Sequence, residues 1–267
     1  MKTKFLLLVL FLLTICLSKA QMDENFYQPS KILRPIENIN YEYFSLPAKN
    51  DTISGIILKP KSGKIKATVL FFHGAGGNVT TYLFMTKPLV DNNFQVVMVD
   101  FRGYGKSTGK PTHLNIVSDG QLFFNKMIQR PEIAKTKIIL YGVSMGSQIA
   151  AHLARNNKAK IAGLVMDGSL SSFTDIAIYY KPEYKEVISQ YVVSPYSAKE
   201  DVQDMEGLPK LFIHSKEDKE VPFEEGYENY SKASLPKEFL EYSGNHLEAM
   251  NGNSKKIISR IKKMLKK

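Results

Sequence analysis

The stretch Ile138-Ile139-Leu140-Tyr141-Gly142-Val143-Ser144-Met145-Gly146-Ser147-Gln148-Ile149-Ala150-Ala151-His152-Leu153-Ala154 decides how the rest of the chain is read. Its first four residues are large and apolar, the composition of a short buried strand. From Met145 onwards the apolar positions recur at helical spacing. One serine therefore stands between two glycines at a strand-to-helix hinge. A sharp turn there strains the serine backbone and exposes its hydroxyl. Glycines two residues before and two after let that turn pack against neighbouring backbone. The helix N-terminus also turns free N–H groups towards the same spot. The bare Gly-x-Ser-x-Gly pattern is weak in a chain with 17 glycines, and a serine-capped tight turn is the plain alternative. The strand before it and the helix after it give it weight.

Working outward, four short apolar runs look like buried parallel strands: residues 67–72, 95–100, 137–141 and 163–167. Helical stretches lie between or after them at 80–91, 115–129 and 145–156. Two further strands are expected at 210–214 and 238–242, with a helix at 224–233 between them. Upstream, 38–46 and 52–59 read as a strand pair around a turn at 47–51. This alternation predicts an α/β fold: a mostly parallel central sheet with helices on both faces. Residues 171–203 break the rhythm. Tyr179, Tyr180, Tyr184, Val187, Ile188, Tyr191 and Val192 make an aromatic, mostly helical insert there. It reads as a short lid, or else as an ordinary crossover helix with its loops.

The N-terminus is different in kind. A basic start (Lys2, Lys4) precedes an apolar run over 5–17 broken only by Thr14, and Ser18-Lys19-Ala20 ends it. This is the three-part pattern of a secretory signal peptide cleaved after Ala20. The expectation is a signal peptide at 1–20, one domain at 21–267, and a secreted or periplasmic product. Retention of the segment as a membrane anchor is the alternative. Cys16, the only cysteine, lies in this segment, so the processed chain has no disulfide and no cysteine nucleophile. Removing Lys2, Lys4 and Lys19 lowers the net charge of +10 to +7. The remaining lysines are scattered except over 255–267, where Ile257, Ile258, Ile261, Met264 and Leu265 repeat at helical spacing. That is an amphipathic terminal helix with a lysine face in water. It predicts no nucleic-acid partner and leaves weak association with an anionic membrane surface open.

A serine nucleophile needs a base, and the base an orienting acid. His152 falls inside the helix after Ser144, His113 before a helix, His214 at a strand end and His73 in a glycine loop. His246 follows the last expected strand, where catalytic groups of parallel sheets gather. It is the expected base. The acid should follow the strand at 210–214, and both Glu217 and Asp218 qualify. A solvated acidic turn is the competing reading. The loop Phe71-Phe72-His73-Gly74-Ala75-Gly76-Gly77 follows a buried strand, and the N–H groups of Ala75 and Met145 are the natural oxyanion donors. As a dinucleotide loop it fails, because Val79 stands where a third glycine is required. Gly105-Lys106-Ser107 resembles the end of a phosphate-binding loop, but Asp100 occupies the upstream glycine position. No metal-site pattern is present, so no metal and no cofactor are expected.

Six motifs in order carry a resemblance: "LFFHGAGGN", "VVMVDFRGYGKSTGKPT", "YGVSMGS", "SPYSA", "LFIHSKEDKEVPF" and "YSGNHLEAM". Over residues 67–250 the chain resembles α/β hydrolases, specifically the small serine hydrolases of the bud-emergence-like and serine-aminopeptidase-like group. The resemblance implies Ser144 as nucleophile, Asp218 rather than Glu217 as acid, and His246 as base. It also implies that His73, Gly74, Gly142, Gly146, Arg102 and Tyr104 shape the site without reacting. Two residues depart from the family pattern: Ser147 after the elbow, and Ser215 in place of a glycine after His214. The second is expected to shift the acid loop slightly. The leading expectation is an exported serine hydrolase acting on a small-molecule ester or related acyl bond. A peptidase on the same triad and a non-catalytic binding protein on the same fold are the alternatives. Ser144 at the elbow excludes dehalogenase and epoxide-hydrolase chemistry, which need a carboxylate there.

Overall fold

The computed structural model describes residues 26–192 and 194–266; the expected signal segment lies outside them. The chain opens with β1 (Gln28–Pro29). The hairpin β2 (Asn40–Ala48) and β3 (Asp51–Lys59) follows. β4 (Thr68–Phe72) leads into the two-residue β5 (Gly76–Gly77), a turn of 3₁₀ helix at Val79–Tyr82 and α1 (Leu83–Asp91). After β6 (Gln95–Asp100) come α2 (His113–Met127) and the short α3 (Pro131–Ala134). The central unit is β7 (Ile138–Val143), α4 (Gly146–Asn157) and β8 (Gly163–Asp167). Three helices follow: α5 (Phe173–Tyr180), α6 (Lys185–Tyr191) and α7 (Ala198–Asp201). β9 (Lys210–Ser215), α8 (Phe223–Lys232), β10 (Lys237–Tyr242) and α9 (Ala249–Met264) complete the chain.

Eight strands form one sheet in the order β10-β9-β8-β7-β4-β6-β3-β2. The strands from β10 across to β6 run parallel, and β3 and β2 are antiparallel additions at one edge. The parallel strands from β4 to β9 are buried along their whole length, which is why they read as unbroken apolar runs. Only the edge strand β10 keeps exposed Glu238 and Glu241. One face of the sheet packs Ile116, Phe123, Ile149 and Leu153 of α2 and α4. The other packs Met85 and Leu89 of α1 with Ile257, Ile258, Ile261 and Met264 of α9. The apolar stripe expected for the terminal helix is therefore its docked face, though the helix begins earlier, at Ala249.

The sequence boundaries shift at the hairpin. The turn is tighter than 47–51: Pro47 pairs with Thr52 inside β2, and Lys49 takes φ 58° at the bend. Proline is tolerated there because β2 is an edge strand and need not donate on both sides. Upstream of the hairpin, residues 27–37 form an arm whose β1 pairs in parallel with β5, a contact no sequence pattern announced.

Candidate active site

The expected catalytic residues and the glycine loop fall at the C-terminal ends of the parallel strands, together with Asp167. Ser144 follows β7, Asp167 ends β8, Asp218 follows β9, His246 follows β10, and the glycine loop follows β4. Parallel alignment is what gathers them, since each strand end opens on the same side of the molecule.

Ser144 has φ 49°, in the left-handed region that a non-glycine residue adopts only when the surroundings impose it. Two contacts impose it here. The Ser144 N–H donates to Asp167 O at 2.9 Å, extending the β7–β8 ladder by one residue. Then α4 starts at once, and its first turn lies against the end of β4. A Cβ on Gly146 would sit 2.1 Å from Phe72 O, and one on Gly142 would sit 2.5 Å from Gly146 O. Both positions are closed to any side chain, so the serine turn needs its flanking glycines for space.

His246 Nδ1 and Asp218 Oδ2 lie 2.6 Å apart, with the Asp218 side chain fully buried. Asp218 Oδ1 accepts the N–H groups of Glu220 and Val221, both at 2.9 Å. Burial opposes ionisation of this carboxyl, but the hydrogen bond to His246 and the two backbone donors outweigh it and hold it below its usual range. The imidazole is thus fixed at Nδ1, leaving Nε2 as the ring nitrogen not engaged by Asp218. A Cβ on Gly168 would lie 2.7 Å from His246 Cε1. The backbone at 167–168 therefore touches both the serine turn and the histidine ring.

The glycine loop is held peptide by peptide. His73 is fully buried; burial pushes its pKa down to about 4, so it is neutral. Its Nε2 accepts from the Phe101 N–H at 3.3 Å, and its Nδ1–H donates to Gly74 O at 2.7 Å. A trans peptide points its N–H opposite to its C=O. Anchoring the Gly74 carbonyl on His73 therefore aims the Ala75 N–H the other way. The Tyr104 hydroxyl donates to Ala75 O at 2.6 Å and the Tyr82 hydroxyl to Gly76 O at 2.9 Å. A Cβ on Gly74 would come within 3.2 Å of Ser144 Cβ, so this loop and the serine turn are immediate neighbours. Met145, next along, is buried at the start of α4.

Arg102 is placed differently from the rest. Its guanidinium pairs with both oxygens of Asp119 (2.7 and 2.9 Å) and with Asp51 Oδ2 (2.6 Å). It braces the β2–β3 turn against α2. The other histidines are also accounted for. His113 begins α2 and stacks on Phe173, His152 pairs with Asp201, and His214 donates from Nε2 to Val221 O at 3.0 Å.

Three further residues take on roles here that the sequence did not assign them. His214 is buried behind the acid, with Nε2 3.6 Å from Asp218 Oδ2. The Ser215 hydroxyl donates to Gly244 O and accepts the Glu217 N–H, tying the loop of Asp218 to the loop of His246. Asp167 is fully buried, with Oδ2 accepting from the Tyr141 hydroxyl at 2.9 Å and Oδ1 without a hydrogen-bond partner. Burial pushes its carboxyl up to about 7, partly offset by the Tyr141 hydrogen bond and the attraction of His246. The signal for it was an acid ending an otherwise apolar strand. Among the described residues, no group of three or more His, Cys, Asp or Glu side chains is placed to hold a metal ion.

Comparison with known proteins agrees with this architecture. Residues 63–195 match the family described as serine aminopeptidase, S33. Protein bem46 of Schizosaccharomyces pombe is 29% identical over 69% of the chain, and the match spans 63% of that protein's own length. The uncharacterized protein YfhR of Escherichia coli is 26% identical over 92% of the chain and 88% of its own. Among solved structures, the esterase Pf2001 of Pyrococcus furiosus superposes with a TM-score of 0.69 at 20% identity, over 90% of this chain and 98% of that one.

Proposed function

This chain is an α/β hydrolase, and we propose that within that fold it is an exported serine hydrolase cleaving a small-molecule ester or related acyl bond. The observation that carries the proposal is the His246–Asp218 pair at 2.6 Å, at the same sheet edge as a serine held at φ 49°. In this reading Ser144 Oγ attacks the acyl carbon while His246 Nε2 takes its proton. Asp218 holds the ring and offsets the charge of the imidazolium. The oxyanion forms against the N–H groups of Ala75 and Met145. His246 then returns the proton to the leaving alcohol. A water molecule, deprotonated by the same nitrogen, attacks the acyl-serine and frees the acid.

The acids available for gripping a peptide amine favour an ester over a peptide substrate. Asp175 is engaged by the Ser171 and Ser172 hydroxyls and by Lys199, each at 2.6 Å, while Glu183 and Glu186 are exposed. The helical segment from α5 to α7 supplies the proposed lid. The Tyr180 hydroxyl donates to Glu220 O beside the acid loop, linking the two. Export rests on the N-terminal segment, and a mature protein starting at Gln21 by intact mass is its test.

The functional test is hydrolysis of a p-nitrophenyl ester series from acetate to palmitate, wild type against Ser144→Ala. The proposal expects turnover in the wild type and a loss of about 10³-fold or more in the variant. A folded Ser144→Ala protein with wild-type turnover would contradict it.

A further inference from the structure

Residues Ala75, Gly76 and Gly77 carry almost no side chain, and a Cβ at Gly76 would meet nothing within 4 Å. Packing cannot fix such a loop; its backbone hydrogen bonds must. Four consecutive carbonyls, Gly74 to Gly77, accept from protein donors. Two of those donors come from the N-terminal arm. Gln28 N–H donates to Ala75 O at 2.9 Å and Ser30 N–H to Gly77 O at 2.8 Å. The arm is itself fastened down. Buried Asn78 donates from Nδ2 to Ser30 O (3.1 Å) and Ile32 O (2.8 Å), and the Gly105 N–H also reaches Ser30 O at 3.0 Å. At its start Phe26 packs edge-on against Phe173, the first residue of α5, at 5.1 Å between ring centres.

We propose that residues 27–32 are a strap that sets the aim of the oxyanion loop, with Gln28, Ser30 and Asn78 as positioning residues for the acyl chemistry. The proposal rests on the serine-hydrolase reading above. The mechanism is geometric. The Ala75 N–H is aimed by the carbonyl of its own peptide, Gly74 O, held by His73, and steadied by the next peptide, whose Ala75 O is held by Gln28 and Tyr104. A ground-state ester carbonyl makes weak demands on that N–H, whereas the tetrahedral oxyanion depends on it. Loosening the strap therefore lowers kcat and spares KM.

The test uses the full chain with two substitutions. Gln28→Pro removes the one N–H that reaches Ala75 O. Asn78→Asp keeps the oxygen that caps the 3₁₀ turn through the Thr80 N–H at 3.0 Å, and replaces the Nδ2 donor with an acceptor facing two carbonyls. The readouts are kcat and KM on p-nitrophenyl butyrate, inhibition by an alkyl trifluoromethyl ketone, and the melting temperature. The strap predicts kcat lower by about tenfold in Gln28→Pro and more in Asn78→Asp, with KM within about twofold of wild type. Binding of the trifluoromethyl ketone, whose adduct carries the oxyanion, should weaken in step with kcat/KM. A folded Gln28→Pro enzyme with wild-type kcat, or one whose only change is in KM, overturns the strap and leaves the triad standing. A wild type that neither turns over ester nor reacts with a fluorophosphonate overturns the serine-hydrolase reading, and the strap with it.

Discussion

At the scale of single residues, environment sets what each acid in the site can do. Asp167 ends β8 and Asp218 lies in the loop after the neighbouring β9, yet they are pushed in opposite directions. Asp218 has a partner for each oxygen and is held ionised, whereas Asp167 has one partner and a bare Oδ1. Unfolding would return Asp167 from about 7 to its ordinary 3.8. The folded state thus binds this proton more tightly than the unfolded chain between those values. Its stabilising effect is complete below about pH 4 and is lost as pH rises through about 7. The difference is worth up to about 4 kcal/mol at full ionisation. Asp167→Asn keeps an acceptor for Tyr141 and abolishes the titration. Denaturant melts at pH 5 and pH 8 are expected to show wild type losing stability at the higher pH and the variant losing clearly less. An equal fall in both proteins would remove Asp167 as the cause. Ser144 and His246 stand out as candidates in the sequence because each follows a recognisable strand at the edge where such groups collect, whereas strand position left Glu217 and Asp218 level and only the family resemblance chose between them. Asp167 does not stand out, because a single acid at a strand end belongs to no motif and acquires its character only from the burial that folding imposes.

At the scale of elements, loops are fastened to one another more than to the core. Ser215 joins the loops that carry Asp218 and His246, and a glycine in its place would leave Gly244 O and the Glu217 N–H without this partner. Ser215→Gly should cost about 1–2 kcal/mol of stability. It should also lower kcat while leaving reaction of Ser144 with a fluorophosphonate detectable. Chemical denaturation and steady-state kinetics on the same preparation check both halves; unchanged kcat would make Ser215 purely structural. The departure from glycine was visible in the sequence, but its consequence was not, because the partner lies 29 residues away on another strand end. The same holds for the arm. Its sequence is polar and carries two prolines, Pro29 and Pro35, and says nothing about what it pairs with. The pairing is made to backbone carbonyls of the glycine loop, Ala75 O and Gly77 O, which sequence patterns of side chains do not report.

At the scale of the whole molecule, the eight sheet strands were legible because their hydrophobic runs are short, bounded by turn residues and spaced by helical periods. The sheet order was not written in any single run and follows from packing helices on both faces. The terminal helix shows how far patterning reaches. Ile257, Ile258, Ile261 and Met264 are buried against one face of the sheet while Lys255, Lys256, Lys263 and Lys266 remain exposed. Ile261 is fully buried, so Ile261→Ala should destabilise the protein by about 2–4 kcal/mol. A denaturant midpoint shift much smaller than that would mean α9 contributes little to the fold. All six parallel strands deliver their C-terminal ends to one edge, and the account stands or falls on whether that edge carries an active serine. The most direct measurement is to treat the protein with a fluorophosphonate and map the adduct by peptide mass spectrometry. The account predicts a single adduct on Ser144, absent in Ser144→Ala and formed far more slowly in His246→Ala. An adduct on another residue, or none on folded protein, would contradict it.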